Sequence, residues 1–165
     1  MANKLLNKDK IQLAFNRVLS LSTNMNIEIT DSPKEIDDEK IISETRKYNL
    51  QFAKKDVKLM SLYMRDSGGE IIAGLTGKTF WNWLHVEYLW VHKSQRGNKL
   101  GSQLIAAAEN EAINRGCTGS TLDTFSFQAP DFYQKLGYSV VGTLADYSGE
   151  HQRYYLAKDL TKHSS

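Results

Sequence analysis

The stretch from Leu89 to Leu104, Leu-Trp-Val-His-Lys-Ser-Gln-Arg-Gly-Asn-Lys-Leu-Gly-Ser-Gln-Leu, carries the strongest chemical signal in the chain. An apolar strand pattern runs into a loop rich in glycine and asparagine, which opens directly into a helical pattern. Such a junction gathers backbone N–H groups that the first helical turn leaves unpaired. They lie at the positive end of the helix dipole, where a phosphate or pyrophosphate is readily held. Gly97 and Gly101 would let a ligand approach the backbone closely. An ordinary strand–turn–helix connection uses the same residue types, and spacing alone leaves both readings open.

Other chemistries are poorly served. Gly77-Lys78-Thr79 has the ending of a Walker A loop, but Ile72 stands where the first glycine should, and aromatic strand residues follow instead of a helix. The segment from Arg96 to Gly101 does not fit the G-x-G-x-x-G dinucleotide fingerprint. His85, His92, His151, His163 and Cys117 have no metal-ligand spacing, so no metal is expected. No Gly-x-Ser-x-Gly elbow exists, and Ser120 and Ser126 lack evident His and Asp partners. Glu87 lies in Leu84-His85-Val86-Glu87-Tyr88-Leu89, where burial among apolar neighbours would raise its pKa and suit it to general-base work. A solvated strand residue or an ion pair is the equal alternative, and His85 on the same face is a weaker base. Asp123, Asp146 and Glu150 could meet a cationic amine, with surface solvation the more ordinary explanation. The cluster Phe80-Trp81-Asn82-Trp83 reads as sheet core, a hairpin tip or the wall of an acceptor pocket.

These groups need elements to position them. Asp9 to Ser22 reads as an amphipathic helix with Ile11, Ala14, Phe15, Val18 and Leu19 on one face. Ile27 to Ile29 alternates as a short strand. Glu35 to Tyr48 is predicted helical, with Ile36, Ile41, Ile42 and Thr45 as its buried stripe. Strands follow at Val57–Arg65, Glu70–Thr76 and Trp83–His92, the first two joined by the hairpin turn Asp66-Ser67-Gly68-Gly69. Leu100 to Arg115 is a helix burying Leu104, Ile105, Ala108 and Ala112, stopped at Gly116. Thr118–Phe125 is a strand and Gln128–Leu136 a short helix with Pro130 in its first turn. Ser139–Leu144 and Gln152–Ala157 close the chain as strands. This order predicts an α/β (α+β) fold with a mixed, mainly antiparallel twisted sheet of about six to seven strands flanked by helices. A single domain is expected over residues 1–165, with residues 1–24 as a helical extension and 25–160 as the core.

The chain resembles the GNAT superfamily of acetyl-coenzyme A-dependent N-acetyltransferases from about Ile27 to Leu160. Three features carry the likeness. The apolar strand ending in Trp90-Val91 is followed by Gln95-Arg96-Gly97-Asn98-Lys99-Leu100-Gly101, similar to the family's pyrophosphate loop. Ala129-Pro130-Asp131-Phe132-Tyr133-Gln134-Lys135-Leu136-Gly137-Tyr138 resembles the family's helix with a Phe-Tyr pair before a Gly-aromatic turn. The order of helices and strands is the last. The resemblance implies a GNAT-type acyl-CoA N-acyltransferase fold and acetyl-CoA as cosubstrate. It implies that Arg96, Gly97, Asn98, Lys99, Leu100, Gly101 and Ser102 hold the pyrophosphate. Leu89, Trp90 and Val91 would receive the pantetheine arm and polarise the thioester carbonyl. Tyr133 would be the general acid for the departing thiolate, with packing beside Phe132 as its alternative, and Glu87 the base. Lys99 replaces the loop's central glycine, for which an ordinary helical φ is expected. Gln128 stands where the family often has an asparagine near the acyl-CoA arm. The acceptor would be a small-molecule or protein amine, attacked directly in a ternary complex, and homodimers are common among such enzymes. A non-catalytic acyl-CoA sensor or an interaction domain is the alternative.

Composition narrows the setting. The 165 residues carry 21 Lys plus Arg against 19 Asp plus Glu, a formal charge of +2, which removes the electrostatic case for a nucleic-acid partner. No apolar run approaches the roughly 20 residues of a bilayer span, so no membrane partner is expected. Residues Met1 to Lys10 do not read as a secretory signal. The one cysteine fits a reducing, cytoplasmic compartment.

Overall fold

The computed structural model describes residues 26–162. The predicted helix over Asp9–Ser22 lies outside them. The chain divides into two compact units, Met1–Thr45 and Arg46–Ser165. In the first, residues 26–30 form no strand, and Ile27 and Ile29 are at least nine-tenths exposed. Two alternating apolar residues do not make a strand without a neighbouring edge to supply hydrogen bonds. Helix α1 (Glu35–Asn49) forms as predicted, with Glu35, Asp37 and Asp38 in its first turn and Arg46 and Lys47 in its last, each sign matched to the dipole. It buries none of its residues, contrary to the expected stripe. At 3.6 residues per turn, Ile36 falls on the opposite side from Ile41, Ile42 and Thr45, so no continuous apolar face exists.

The second unit holds a six-stranded sheet: β1 (Lys58–Arg65), β2 (Ile71–Phe80), β3 (Trp83–Val91), β4 (Gly119–Phe125), β5 (Ser139–Tyr147) and β6 (His151–Asp159), in the order β1-β2-β3-β4-β6-β5. Every pairing is antiparallel except β3 with β4. The parallel pair is joined by α2 (Leu100–Asn114), and β4 reaches β5 through α3 (Pro130–Lys135). The spacing of α2 does what its periodicity predicts. Leu104, Ile105, Ala108 and Ala112 are buried with Met60, Ala73, Leu75, Leu84, Val86, Leu122 and Leu156 in one core.

Two features of this sheet prepare a site. The register pairs Thr76 with Tyr88 and Gly77 with Val86, leaving Glu87 as the extra residue of a β-bulge. Gly77 makes the bulge possible, since a Cβ there would stand 2.3 Å from the His85 carbonyl oxygen. The second is the brevity of the parallel pairing, which runs only through Trp83–Gly119, Leu84–Ser120 and His85–Thr121. Beyond it β3 bends away at the bulge and the two strands diverge.

The aromatic cluster is a hairpin tip. Trp81 and Asn82 both take positive φ (50° and 66°) between β2 and β3, a two-residue turn of the kind usually given to Asn-Gly. Asp56 stabilises it by accepting from the Trp81 backbone N–H at 3.1 Å, while the indole Nε1 donates to the Lys54 carbonyl at 3.1 Å.

Candidate active site

A cleft of about 1370 Å³ opens where β3 and β4 part. One wall is β3 from Val86 to Val91, whose β4-facing edge has no strand partner and leaves backbone donors and acceptors free of sheet bonds. The opposite wall is β4 with β6, and α3 brings Phe132 and Tyr133 to the rim. The start of α2 closes one end.

That end has the donor chemistry to seat an anion. Gly97 takes φ +84°, and Lys99, the N-cap of α2, is left-handed at φ 59°, ψ 13° with no side-chain cap. The expected helical φ at Lys99 is therefore corrected: the loop needs the left-handed turn that glycine adopts freely, and lysine adopts it at a cost of about 1–2 kcal/mol. The turn directs the backbone N–H groups of residues 97–102 away from the chain's own acceptors, and none of them makes a hydrogen bond among the described residues. The first bond of α2 is Gln103 N–H to the Lys99 carbonyl at 3.0 Å. Arg96 is steadied by a 3.3 Å bond from Nε to the Val91 carbonyl. Gly101 serves packing as well as access, because a Cβ there would press on the Phe132 ring at 3.2 Å.

Of the residues singled out from sequence, Leu89, Trp90, Val91, Arg96, Gly97, Lys99, Leu100, Gly101, Ser102, Gln128, Glu87 and Tyr133 all line this cleft. Asn98 does not; its Nδ2 donates to Gln95 Oε1 at 3.4 Å. Gln128 braces the turn after β4, its Oε1 accepting from the Phe125 backbone N–H at 2.9 Å and from Thr124 Oγ1 at 3.0 Å. Glu87 is exposed at the bulge and ion-paired with Lys78, not enclosed by apolar neighbours. The bulge is the reason, since it turns the side chain out of the strand's regular alternation. His85 stacks on Phe80 at 4.2 Å, and burial, then the Lys78 charge, hold its pKa below the ordinary 6.5 against the pull of Glu87. Tyr133 is half-buried against Phe132, and burial, with the Asp123 charge second, raises its hydroxyl above the ordinary value of 10.

Sequence reasoning left the β4–β6 wall largely unread. Asp123 Oδ2 accepts from Arg153 Nε at 2.8 Å, and the guanidinium sits among the rings of Phe125, Tyr147 and Tyr155 at 5.3–5.8 Å. Phe127 stacks on Phe125 at 5.2 Å at the mouth. The signal was the alternation Thr121-Asp123-Phe125, which puts these residues on one strand face, but only the pairing of Phe125 with Arg153 and of Asp123 with Tyr155 brings β6 to them. Among the described residues no group of His, Cys, Asp and Glu is arranged to hold a metal ion, and no helix is long and apolar enough to cross a membrane.

Residues 24–138 match the family model described as Acetyltransferase (GNAT) family. Blasticidin-S acetyltransferase of Streptomyces morookaense is 41% identical over 107 residues, covering 64% of this chain and 79% of that protein. An acetyltransferase of Agrobacterium fabrum is 33% identical over 112 residues, covering 67% and 82%. The crystal structure of an acetyltransferase from Bacillus cereus superposes with a TM-score of 0.74 at 32% identity, covering 82% of this chain and 99% of that one. The chain belongs to the GNAT acetyltransferase family. It is an enzyme that moves the acetyl group of acetyl-CoA to an amine, and the non-catalytic alternative gives way. The free N–H groups at α2, with Arg96 and Lys99 beside them, suit the diphosphate of that cosubstrate in both charge and donor chemistry.

Proposed function

We propose that this enzyme acetylates the primary amine of a small molecule by direct attack in a ternary complex, using one catalytic domain. The observation that carries the reading is the cleft between β3 and β4, with uncommitted donors at α2 and along β3. The loop Arg96–Ser102 would hold the pyrophosphate, and β3 from Leu89 to Val91 would align the pantetheine and donate to the thioester carbonyl as negative charge develops there. Holding amine and thioester side by side removes the entropy of a bimolecular encounter. Glu87 takes the proton of the attacking amine, directly or through water, and Lys78 holds its carboxylate in place. Tyr133 gives its proton to the departing thiolate. Gln128 fixes the β4–α3 turn against the acyl-CoA arm, its Nε2 left free to donate. The relative named for blasticidin-S supports a small-molecule acceptor. The free thiol of Cys117 suits a cytoplasmic setting, where acetyl-CoA is available.

Titration calorimetry with CoA tests the seat. Gly101→Glu sets a carboxylate against the pyrophosphate and bulk against Phe132, and should weaken CoA binding by at least about 100-fold. Unchanged affinity would move the diphosphate elsewhere, and no CoA binding by the wild type would remove the assignment altogether.

A further inference from the structure

The cleft has four cationic side chains in its lining: Lys78, Arg96, Lys99 and Arg153. Arg96 and Lys99 belong to the anion seat, and Lys78 is ion-paired with Glu87. Arg153 is ion-paired as well, with Asp123, but only through Nε, and it is built with more support than the others. Its Nε is committed to Asp123, three aromatic rings frame the guanidinium, and the side chain is about 30% exposed to the cleft. Its Nη1–Nη2 edge is nearly unspent, with one long 3.5 Å contact from Nη1 to the Tyr147 hydroxyl. That edge is the planar fork that grips an oxyanion with two parallel hydrogen bonds. A lysine in this position would supply charge without that geometry.

The setting matters as much as the residue. A guanidinium held by a carboxylate and packed between rings has already lost most of its rotamer freedom, so little more is lost when it binds. Asp123 offsets its charge, which keeps the site from attracting any passing anion and leaves the fork to choose by shape. The residue projects from β6 opposite Phe125, so it faces the cleft from the wall across from Glu87. A molecule spanning the two walls would meet a base at one end and an oxyanion receptor at the other.

We propose that Arg153 reads a carboxylate on the acceptor, so that the amine acetylated here also carries an acid group. This rests on the acetyltransferase reading of the cleft. The test compares matched pairs of amines in a thiol-release assay: amino acids against their carboxamides, and amino-sugar acids against the parent amino sugars. Wild type should use the preferred acid with kcat/KM about tenfold or more above its neutral partner. Arg153→Gln should remove that preference by raising KM for the acid, while the CoA dissociation constant and KM for the neutral partner stay within about twofold. Arg153→Lys, which keeps the charge without the fork, should fall between, and thermal melting checks that both variants fold. Equal use of acid and amide overturns the proposal, as does turnover confined to amines lacking an acid, or no turnover of any acid while CoA still binds. An acid preference that survives in a folded Arg153→Gln also overturns it. A raised CoA dissociation constant in that variant would assign the fork to a phosphate of the donor instead. Failure of the wild type to bind CoA, read separately by calorimetry, would be a failure of the donor site.

Discussion

Tyr133 illustrates how one side chain answers to packing and chemistry together. Its ring lies against Phe132 in the lining of the cleft, and burial, then Asp123, raise the pKa of its hydroxyl. The raised pKa keeps the phenol protonated throughout the neutral range, the state a proton donor needs. If it protonates the leaving thiolate, Tyr133→Phe should lower kcat by about 100-fold or more while leaving the CoA dissociation constant within about twofold. The same role fixes the sign of the pH profile: with the hydroxyl raised above its ordinary value, the phenol stays a proton donor through pH 10 and any loss from its ionisation comes only at higher pH. Stopped-time assays from pH 7 to 10 would show no basic limb from this group, and a rate that survives Tyr133→Phe would return the residue to a packing role. Lys99 is the converse case. Its residue type argues for an ordinary helical φ, but the loop holds it at φ 59°, and the N–H groups of residues 97–102 around it make no hydrogen bond among the described residues.

At the scale of elements, the bulge in β3 does most to make a site. It takes Glu87 out of register, swings β3 from β4 after His85 and leaves the β3 edge open. Gly77 permits it, so Gly77→Ala should force the 2.3 Å clash with the His85 carbonyl to be relieved by separating β2 from β3. The expected loss is about 2–4 kcal/mol in urea unfolding, with activity falling further than stability accounts for. Full activity in a folded Gly77→Ala would detach the bulge from catalysis. The helices show what a sequence makes plain. In α2 the residues at helical spacing are those that are buried, and Pro130 opens α3 as its missing N–H allows. Ile27–Ile29 and the stripe on α1 fail for different reasons: the first has no strand edge to pair with, and the second has no continuous apolar face to bury.

Across the second unit as a whole, the core is held by apolar packing with one charged insertion. Glu109 of α2 is 9% exposed, accepts from Lys158 Nζ at 2.6 Å, and keeps Oε1 buried without a partner. Lys158 lies over the Tyr138 ring, whose hydroxyl shares a 2.7 Å bond with Ser120. This small network ties α2, β4 and β6 together under the turn that ends α3. Lys158→Met should cost about 2–4 kcal/mol, since it strands a buried carboxylate, whereas adding Glu109→Leu should recover most of that loss. A double variant as unstable as the single one would show that the pair, not the buried charge, provides the stability.

Local rules account for the start of α2 at Leu100 and its stop before Gly116, the alternation of most strands, and the glycine-rich junction before α2. They also account for a short helix α3 with Pro130 in its first turn, though shorter than the expected Gln128–Leu136. These follow from backbone sterics, turn chemistry and periodicity, all of which act within a few residues. Long-range assembly sets which strands part to make the cleft, that Glu87 meets Lys78 rather than an apolar pocket, and that Arg153 joins Asp123 among three aromatic rings. Arg153 and Asp123 are 30 residues apart in the chain, and no local rule couples them. Their meeting is fixed by strand register, which belongs to the sheet as a whole and is set where β4 and β6 pair from Gly119 with Asp159 to Phe125 with Arg153.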